Sequence, residues 1–232
     1  PDSPQEDEIG LASMQPLSYY QAIYFPRRFE HHFRRGLFHD GVADAERRRW
    51  RRRLTHYARK LLIEKPGSTL LVKNPVYTAQ VAELRRIWPD ARFVHIHRDP
   101  YTVFQSTRKF YRRLLPKLAL QPYRQEMADQ HILEAYPRML ERLHRDTEDL
   151  SPSRFVELGF DALERDPVAS LEAIYTQLRI PDFERARPRL EAYLGSIQGY
   201  RKNRHDFPAE LVEQVDRHWG DYVARWGYRR PA

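Results

Sequence analysis

The chain has 232 residues, 41% of them hydrophobic, with 40 lysines and arginines against 32 aspartates and glutamates and a formal net charge of +8. That is enough apolar material for one fair-sized globular domain and excludes a disordered chain, while no run approaches the roughly 18 apolar residues of a membrane helix. The absence of cysteine excludes disulfides, thiolate nucleophiles and cysteine-based zinc sites and suits a reducing, cytoplasmic setting, and the positive excess favours anionic partners such as nucleic acid, phosphorylated cofactors or acidic membranes.

Residues 1–40 mix Pro, Asp, Glu, Tyr and Phe without a clear period and read as irregular. Within them Met14, Tyr19, Tyr20, Tyr24, Phe25 and Phe29 either line an apolar acceptor pocket or belong to the core, and core is the preferred reading. From Asp44 to Leu62 the pattern is helical, since Trp50, Leu54, Tyr57, Ala58 and Leu61 recur at steps of three and four. Pro66-Gly67 then breaks the chain. "TLLVKNP" (69–75) is short, apolar and flanked by breakers, so it is predicted as a buried strand ending at Lys73. A helix carrying Val81, Leu84 and Ile87 follows and stops before Pro89.

"ARFVHIH" (91–97) is the second predicted strand. The helix from Pro100 to about Leu115 is expected to bury Val103, Thr107, Phe110 and Leu114. Residues 123–149 read as helical, and "SRFVELGF" (153–160) as a third strand. Asp166-Pro167 opens another helix, because proline is tolerated at the first helical position. A short helix and a basic loop, "YRKNRHDF" (200–207), lead to a last helix from Pro208 to Arg225, with Leu211, Val215, Trp219, Tyr222 and Trp226 in register. Strands alternating with helices imply parallel pairing. The expected fold is therefore one α/β domain over residues 1–232, an open parallel sheet with flanking helices, with ligands beyond the carboxyl ends of the strands.

Lys73 and Arg98 both stand at such ends. In "FVHIHRDPYTVFQS" Asp99 can cap the helix that Pro100 starts, and the free N–H groups of that helix favour an anion. Arg98 adds a planar fork of donors suited to a phosphate, and Ser106, two turns on, can add a hydroxyl. The plainer alternatives are that Arg98 pairs with Asp99 or another carboxylate and that Ser106 bonds back to the Thr102 carbonyl. His95 and His97 share a strand face; two such histidines can bind a metal, but packed strand histidines are the preferred reading. "RRRWRRRL" (47–54) has the look of a nucleic-acid patch, yet its arginines fill the outer faces of an amphipathic helix, so a solvated face is preferred and no nucleic-acid partner is expected.

The string "LLVKNPVYTAQVAELRRIWPDARFVHIHRDPYTVFQS" resembles the central segment of bacterial members of the PAPS-dependent sulfotransferase family, where PAPS is 3′-phosphoadenosine 5′-phosphosulfate. "RFVELGFDALERDPVASLEAIYTQLRIP" looks like that family's next block, "YRKNRHDF" like its late basic loop, and "PQEDEIGLASM" (4–14) like an acidic segment of its bacterial branch. The resemblance implies a P-loop nucleoside triphosphate hydrolase-like architecture. It also implies transfer of a sulfuryl group from PAPS to a hydroxyl or amine on a small-molecule, lipid or carbohydrate acceptor, with no metal. In the family an Arg and a Ser eight residues later hold the 3′-phosphate of the cofactor, the spacing of Arg98 and Ser106. Arg201, Lys202 and Arg204 correspond to the loop closing over that phosphate; a surface basic loop is the plainer alternative.

Two departures stand out. The family's phosphosulfate loop of the type "PRSGTT" is not in the sequence, and no glycine sits in a Walker-type string. A longer protein of which this is the C-terminal portion is the simplest expectation; the alternative is an inactive remnant that binds only the 3′-phosphate half of an adenine nucleotide. In addition, Lys73 opens "KNP" where an animal branch has "KTH", so Pro75 replaces that branch's base histidine. The base is then expected in the acidic run, with Glu6 first and Glu8 beside it, against the plainer reading of a solvated loop. Tyr77 is a weaker candidate because an unperturbed phenol titrates near pH ~10. A basic nucleic-acid-binding protein is the remaining alternative.

Overall fold

The computed structural model describes residues 6–63, 65–124, 126–197, 199 and 206–231. In chain order its elements are α1 (Asp7–Met14), α2 (Tyr20–Tyr24), a 3-10 turn (Pro26–Arg28), α3 (Phe29–Phe38), α4 (Asp44–Ile63), a second 3-10 turn (Pro75–Ala79) and α5 (Val81–Ile87). Then come β1 (Phe93–His97), α6 (Pro100–Leu118), α7 (Glu126–Thr147), β2 (Phe155–Gly159), α8 (Phe160–Arg165), α9 (Pro167–Gln177), α10 (Phe183–Ser196) and α11 (Ala209–Arg225). The chain divides into two compact units, residues 1–89 with 108–146 and residues 90–107 with 147–232.

The first unit is helical. Residues 7–38 are not irregular, as their mixed composition suggested, but form three short helices and a 3-10 turn. Helices this short are not stable alone; packing of their aromatic residues holds them. Tyr19, Tyr20 and Phe29 are buried, as core readings of those residues require. Phe29 stacks on Phe33 (5.4 Å between centroids) and on His131 of α7 (4.8 Å). α3 crosses the Ser18–Tyr19 backbone so closely that a Cβ on Gly36 would lie 2.2 Å from the Tyr19 nitrogen. Gln80 satisfies the end of α3, donating from Nε2 to the carbonyls of Gly36 (2.9 Å) and Leu37 (3.1 Å). Just beyond, Asp40 accepts from Arg34 (3.1 Å), Arg138 (2.6 Å) and Arg142 (3.0 Å). α4 follows its periodicity: Trp50, Leu54 and Ala58 are buried, while Leu61 is not.

The segment 69–75 is not a strand. It has no regular secondary structure until the 3-10 turn begins at Pro75, and Leu71 is 92% exposed. A strand exists only with a neighbour to receive its backbone groups, and none among the described residues pairs with this one. The helix predicted to follow it is α5, which carries Val81, Leu84 and Ile87 and ends before Pro89; the turn ahead of it is capped by Asn74, which accepts from the Val76 amide at 3.0 Å.

The second unit holds the sheet. β1 and β2 pair in parallel, with Phe93 opposite Phe155 and His97 opposite Gly159. Among the described residues the sheet therefore has two strands, not the three expected. Val156 packs with Ile174 and Leu178, against which Leu158, Leu171 and Ile180 lie. On the other face His97 stacks on Trp226 (4.3 Å, 4° between planes) and its Nδ1 meets the Tyr228 hydroxyl at 3.1 Å. His95 Nδ1 lies 2.9 Å from Glu157 Oε2, and Trp226 Nε1 donates to Glu157 Oε1 at 3.1 Å. Both strand histidines are thus packed side chains.

α6 gives residues up to 107 to the second unit and the remainder to the first. Beyond Pro100 its buried side chains are Tyr101, Phe104, Tyr111 and Leu115, one step round the helix from the predicted Val103, Thr107, Phe110 and Leu114; Phe110 is in fact exposed. The tyrosines explain the shift. In the second unit the Tyr101 hydroxyl donates to Asp216 of α11, and Phe104 meets Trp219 edge-on at 5.5 Å, so amphipathic tyrosine takes a buried place that a purely apolar reading withheld.

Candidate functional site

In the first unit, the acidic run opens α1. Asp7 and Glu8 occupy its first turn, where the helix dipole favours negative charge, and Glu6 stands at the N-cap position. The extended segment that reaches them supplies the partners. Lys73 Nζ lies 2.6 Å from Glu6 Oε1. Asn74 Nδ2 donates to Asp7 Oδ1 at 2.8 Å, and the Tyr77 hydroxyl donates to Asp7 Oδ2. Burial first, and then the Asp7 carboxylate, push the Tyr77 phenol well above its ordinary range, which removes it as a base near neutrality.

Glu8 differs from its neighbours. It is 1% exposed, and its Oε1 has no hydrogen-bond partner. Burial lifts its carboxyl to about 7, partly offset by Ser18 and the Tyr19 backbone and reinforced by the charges of Asp7 and Glu6. The three acidic residues therefore have separate situations: Glu6 is accessible and ion-paired, Asp7 is fixed by two side-chain donors, and Glu8 is buried with a proton affinity near neutrality. The structure brings Glu6, Glu8 and Lys73 into one cluster within this unit.

In the second unit, Arg98 leaves the end of β1. Asp99 does not pair with it. Its carboxylate instead accepts from the amides of Tyr101 (3.2 Å) and Thr102 (3.0 Å), capping α6. The Arg98 guanidinium lies over the Phe160 ring, 4.7 Å from its centroid, a cation–π contact. No ion pair engages it among the described residues. Ser106, exposed on α6, makes no side-chain hydrogen bond there either, whereas its neighbour Thr107 bonds back to the Val103 carbonyl at 2.8 Å. Arg98 and Ser106 thus have no ion pair or side-chain hydrogen bond among the described residues, whereas the first amides of α6 are taken, those of Tyr101 and Thr102 by the Asp99 carboxylate and that of Val103 by the Asp99 carbonyl (2.9 Å). A guanidinium and a hydroxyl of this kind suit a phosphate; the helix start adds its dipole and no unpaired amide.

Arg201, Lys202 and Arg204 lie outside the described residues. The residue where description resumes, Asp206, is tied to this helix: Gln105 Nε2 donates to its carbonyl at 2.7 Å, one residue from Ser106. Sequence reasoning missed Gln105 and Phe160, which carry no local signal. It also passed over Asn74, whose place before proline is a recognisable cap signal. Among the described residues no cluster of three or more His, Cys, Asp or Glu is arranged to hold a metal ion, and no helix is long and apolar enough to cross a membrane.

Comparison with known proteins agrees with the resemblance in the sequence. The sulfotransferase family model matches residues 13–185. Two curated relatives, each an omega-hydroxy-beta-dihydromenaquinone-9 sulfotransferase Stf3, from Mycobacterium bovis and Mycobacterium tuberculosis, are 32% identical over 98% of this chain. The chain spans 58% of the length of these relatives. Among solved structures, sulfotransferase STF9 from Mycobacterium avium shares the fold, with a TM-score of 0.71 at 19% identity over 96% of this chain and 56% of that one.

Proposed function

Because the chain belongs to the sulfotransferase family, we propose that it serves to move a sulfuryl group from PAPS to the hydroxyl of a lipid alcohol. The observation that carries this reading is Arg98: a guanidinium at a strand exit, oriented by Phe160, with no carboxylate partner among the described residues and with Asp99 committed to the helix cap. Arg98 and Ser106 hold the 3′-phosphate of the donor, and Arg201, Lys202 and Arg204 cover it. PAPS supplies the activated sulfuryl group.

The chain's own residues do the rest. Glu6 is the base that accepts the proton of the acceptor hydroxyl, since it is the accessible carboxylate of the cluster. Lys73, ion-paired with Glu6 at 2.6 Å, provides a positive charge for oxygens that gain charge during transfer. Glu8 supports the cluster from beneath. The lipid alcohol is favoured because the curated relatives' named acceptor is an ω-hydroxylated dihydromenaquinone. A cysteine-free composition fits a cytoplasmic setting.

Calorimetry of the full-length protein with 3′,5′-ADP tests the donor assignment. Arg98→Ala is expected to weaken binding at least about tenfold, the loss of one charge-assisted bond. Unchanged affinity removes Arg98 from the site. Binding without any turnover of labelled PAPS identifies a nucleotide-binding remnant in place of an enzyme.

A further inference from the structure

α4 turns its apolar residues inward and leaves an unbroken cationic face outward. Trp50, Leu54 and Ala58 are buried, while Arg48, Arg49, Arg52, Arg53, His56 and Arg59 lie on the opposite side and are exposed. Nearby arginines are ion-paired: Arg47 with Asp44 (3.0 Å), and Arg51 and Arg86 both with Glu83. The five outward arginines have no ion-pair partner among the described residues. From Arg48 to Arg59 they cover about 17 Å of helix at roughly 1.5 Å per residue. Local self-repulsion of this kind opposes folding unless an anion is at hand.

The same face ends in an apolar residue. Arg52, His56, Arg59 and Ile63 follow one another at steps of four, three and four, which places them on one helical line. Ile63 is 73% exposed at the foot of that line. An isoleucine gains nothing from phosphates, but it gains from the acyl boundary of a bilayer. The face also lacks the exposed aromatic residues on which nucleic-acid bases stack: Trp50 is 1% exposed and points into the unit.

The geometry points to the outward face of α4 as a docking surface for an anionic phospholipid bilayer, with the arginines against lipid phosphates and Ile63 in the interface. The choice of a bilayer rests in part on the lipid-alcohol reading above, because such an acceptor resides there. Polybasic segments bind anionic leaflets by summed charge, each arginine adding about fivefold in affinity near the surface.

The test is co-sedimentation of the full-length protein with vesicles of phosphatidylcholine alone or mixed with phosphatidylglycerol, at physiological salt and without donor or acceptor. Binding is expected only to the mixed vesicles. Arg52→Gln/Arg59→Gln should weaken it about 25-fold, Arg52→Lys/Arg59→Lys should largely preserve it, and Ile63→Ser should cost about threefold or more, a loss that persists when salt is raised. Circular dichroism and 3′,5′-ADP affinity should be unchanged in all three variants. Equal binding to neutral vesicles, absence of vesicle binding, or preferential binding to duplex DNA at matched phosphate concentration overturns the proposal. A wild-type protein that binds 3′,5′-ADP but no vesicles sinks the docking surface and leaves the donor reading standing; one that binds mixed vesicles but not 3′,5′-ADP does the opposite.

Discussion

Lys73 Nζ lies 2.6 Å from Glu6 Oε1, joining two residues 67 positions apart through side chains on the open side of the acidic cluster. Lys73 is 79% exposed, so the pair contributes little to stability, within about 1 kcal/mol. Its value is chemical. Glu6→Gln is expected to lower kcat about a hundredfold or more, in the usual range for loss of a general base, while leaving 3′,5′-ADP affinity and the melting temperature near wild type. Steady-state kinetics beside calorimetry check this; normal turnover clears Glu6 of the base role.

Glu8 predicts a dependence on pH. Its carboxyl titrates near 4.5 in the unfolded chain and is raised by burial to about 7 in the folded one. Between those values the folded chain holds a proton that the unfolded chain has released, so stability falls as pH rises through this window. The contribution is fully present below pH 4.5 and lost above about 7. Glu8→Gln, which stays neutral, should therefore gain on the order of 3 kcal/mol over wild type at alkaline pH and little near the lower limit. Urea denaturation at a series of pH values measures the difference, and parallel curves for the two proteins contradict it.

Asp40 works in the opposite sense. Burial alone would raise its carboxyl, but the bonds from Arg138 and Arg34 and the charge of Arg142 hold it below the usual carboxylate value. Its contribution is present above that usual value and disappears as pH falls through the depressed one. Asp40→Asn should cost about 2 kcal/mol near neutrality and almost nothing in strong acid. A cost that does not vary with pH would show that packing, not charge, dominates there.

Gly36→Ala tests the crossing of α3 over residues 18 and 19. The added methyl would meet backbone at 2.2 Å, and backbone cannot rotate aside as a side chain can. A loss of about 3 kcal/mol or more is expected. Because Ser18 and Tyr19 also flank Glu8, the variant should lower kcat as well, in the fraction that remains folded. Thermal denaturation and kinetics read the two effects; wild-type stability would mean that α3 is free to move.

Much of the second unit is legible in the sequence. The runs at 93–97 and 155–159 are short, apolar and bounded by breakers, and they are the two strands found. Asp99 and Asp166 announce helices that their carboxylates do cap. The segment 69–75 carries the same local signature and is no strand, because pairing is a relation between segments and not a property of one. The strand–Arg–Asp–Pro–helix pattern singles out Arg98 and Ser106 before the resemblance gives them a role, and neither has an ion pair or side-chain hydrogen bond among the described residues. The binding of Asp7 by Asn74 and Tyr77, and the closeness of Ser18 to Glu8, leave no trace in local pattern. The first joins residues 67 and 70 positions apart, and the second depends on a helix crossing that only tertiary packing creates.

The pairing of β1 with β2 also sets a rhythm in solvent access along one strand. The Phe93 amide donates to the Arg154 carbonyl. In a parallel ladder the alternate residues His95 and His97 then direct their amides the same way, while those of Val94 and Ile96 point to the opposite edge. Deuterium uptake should accordingly alternate residue by residue, slow at His95 and His97 and fast at Val94 and Ile96.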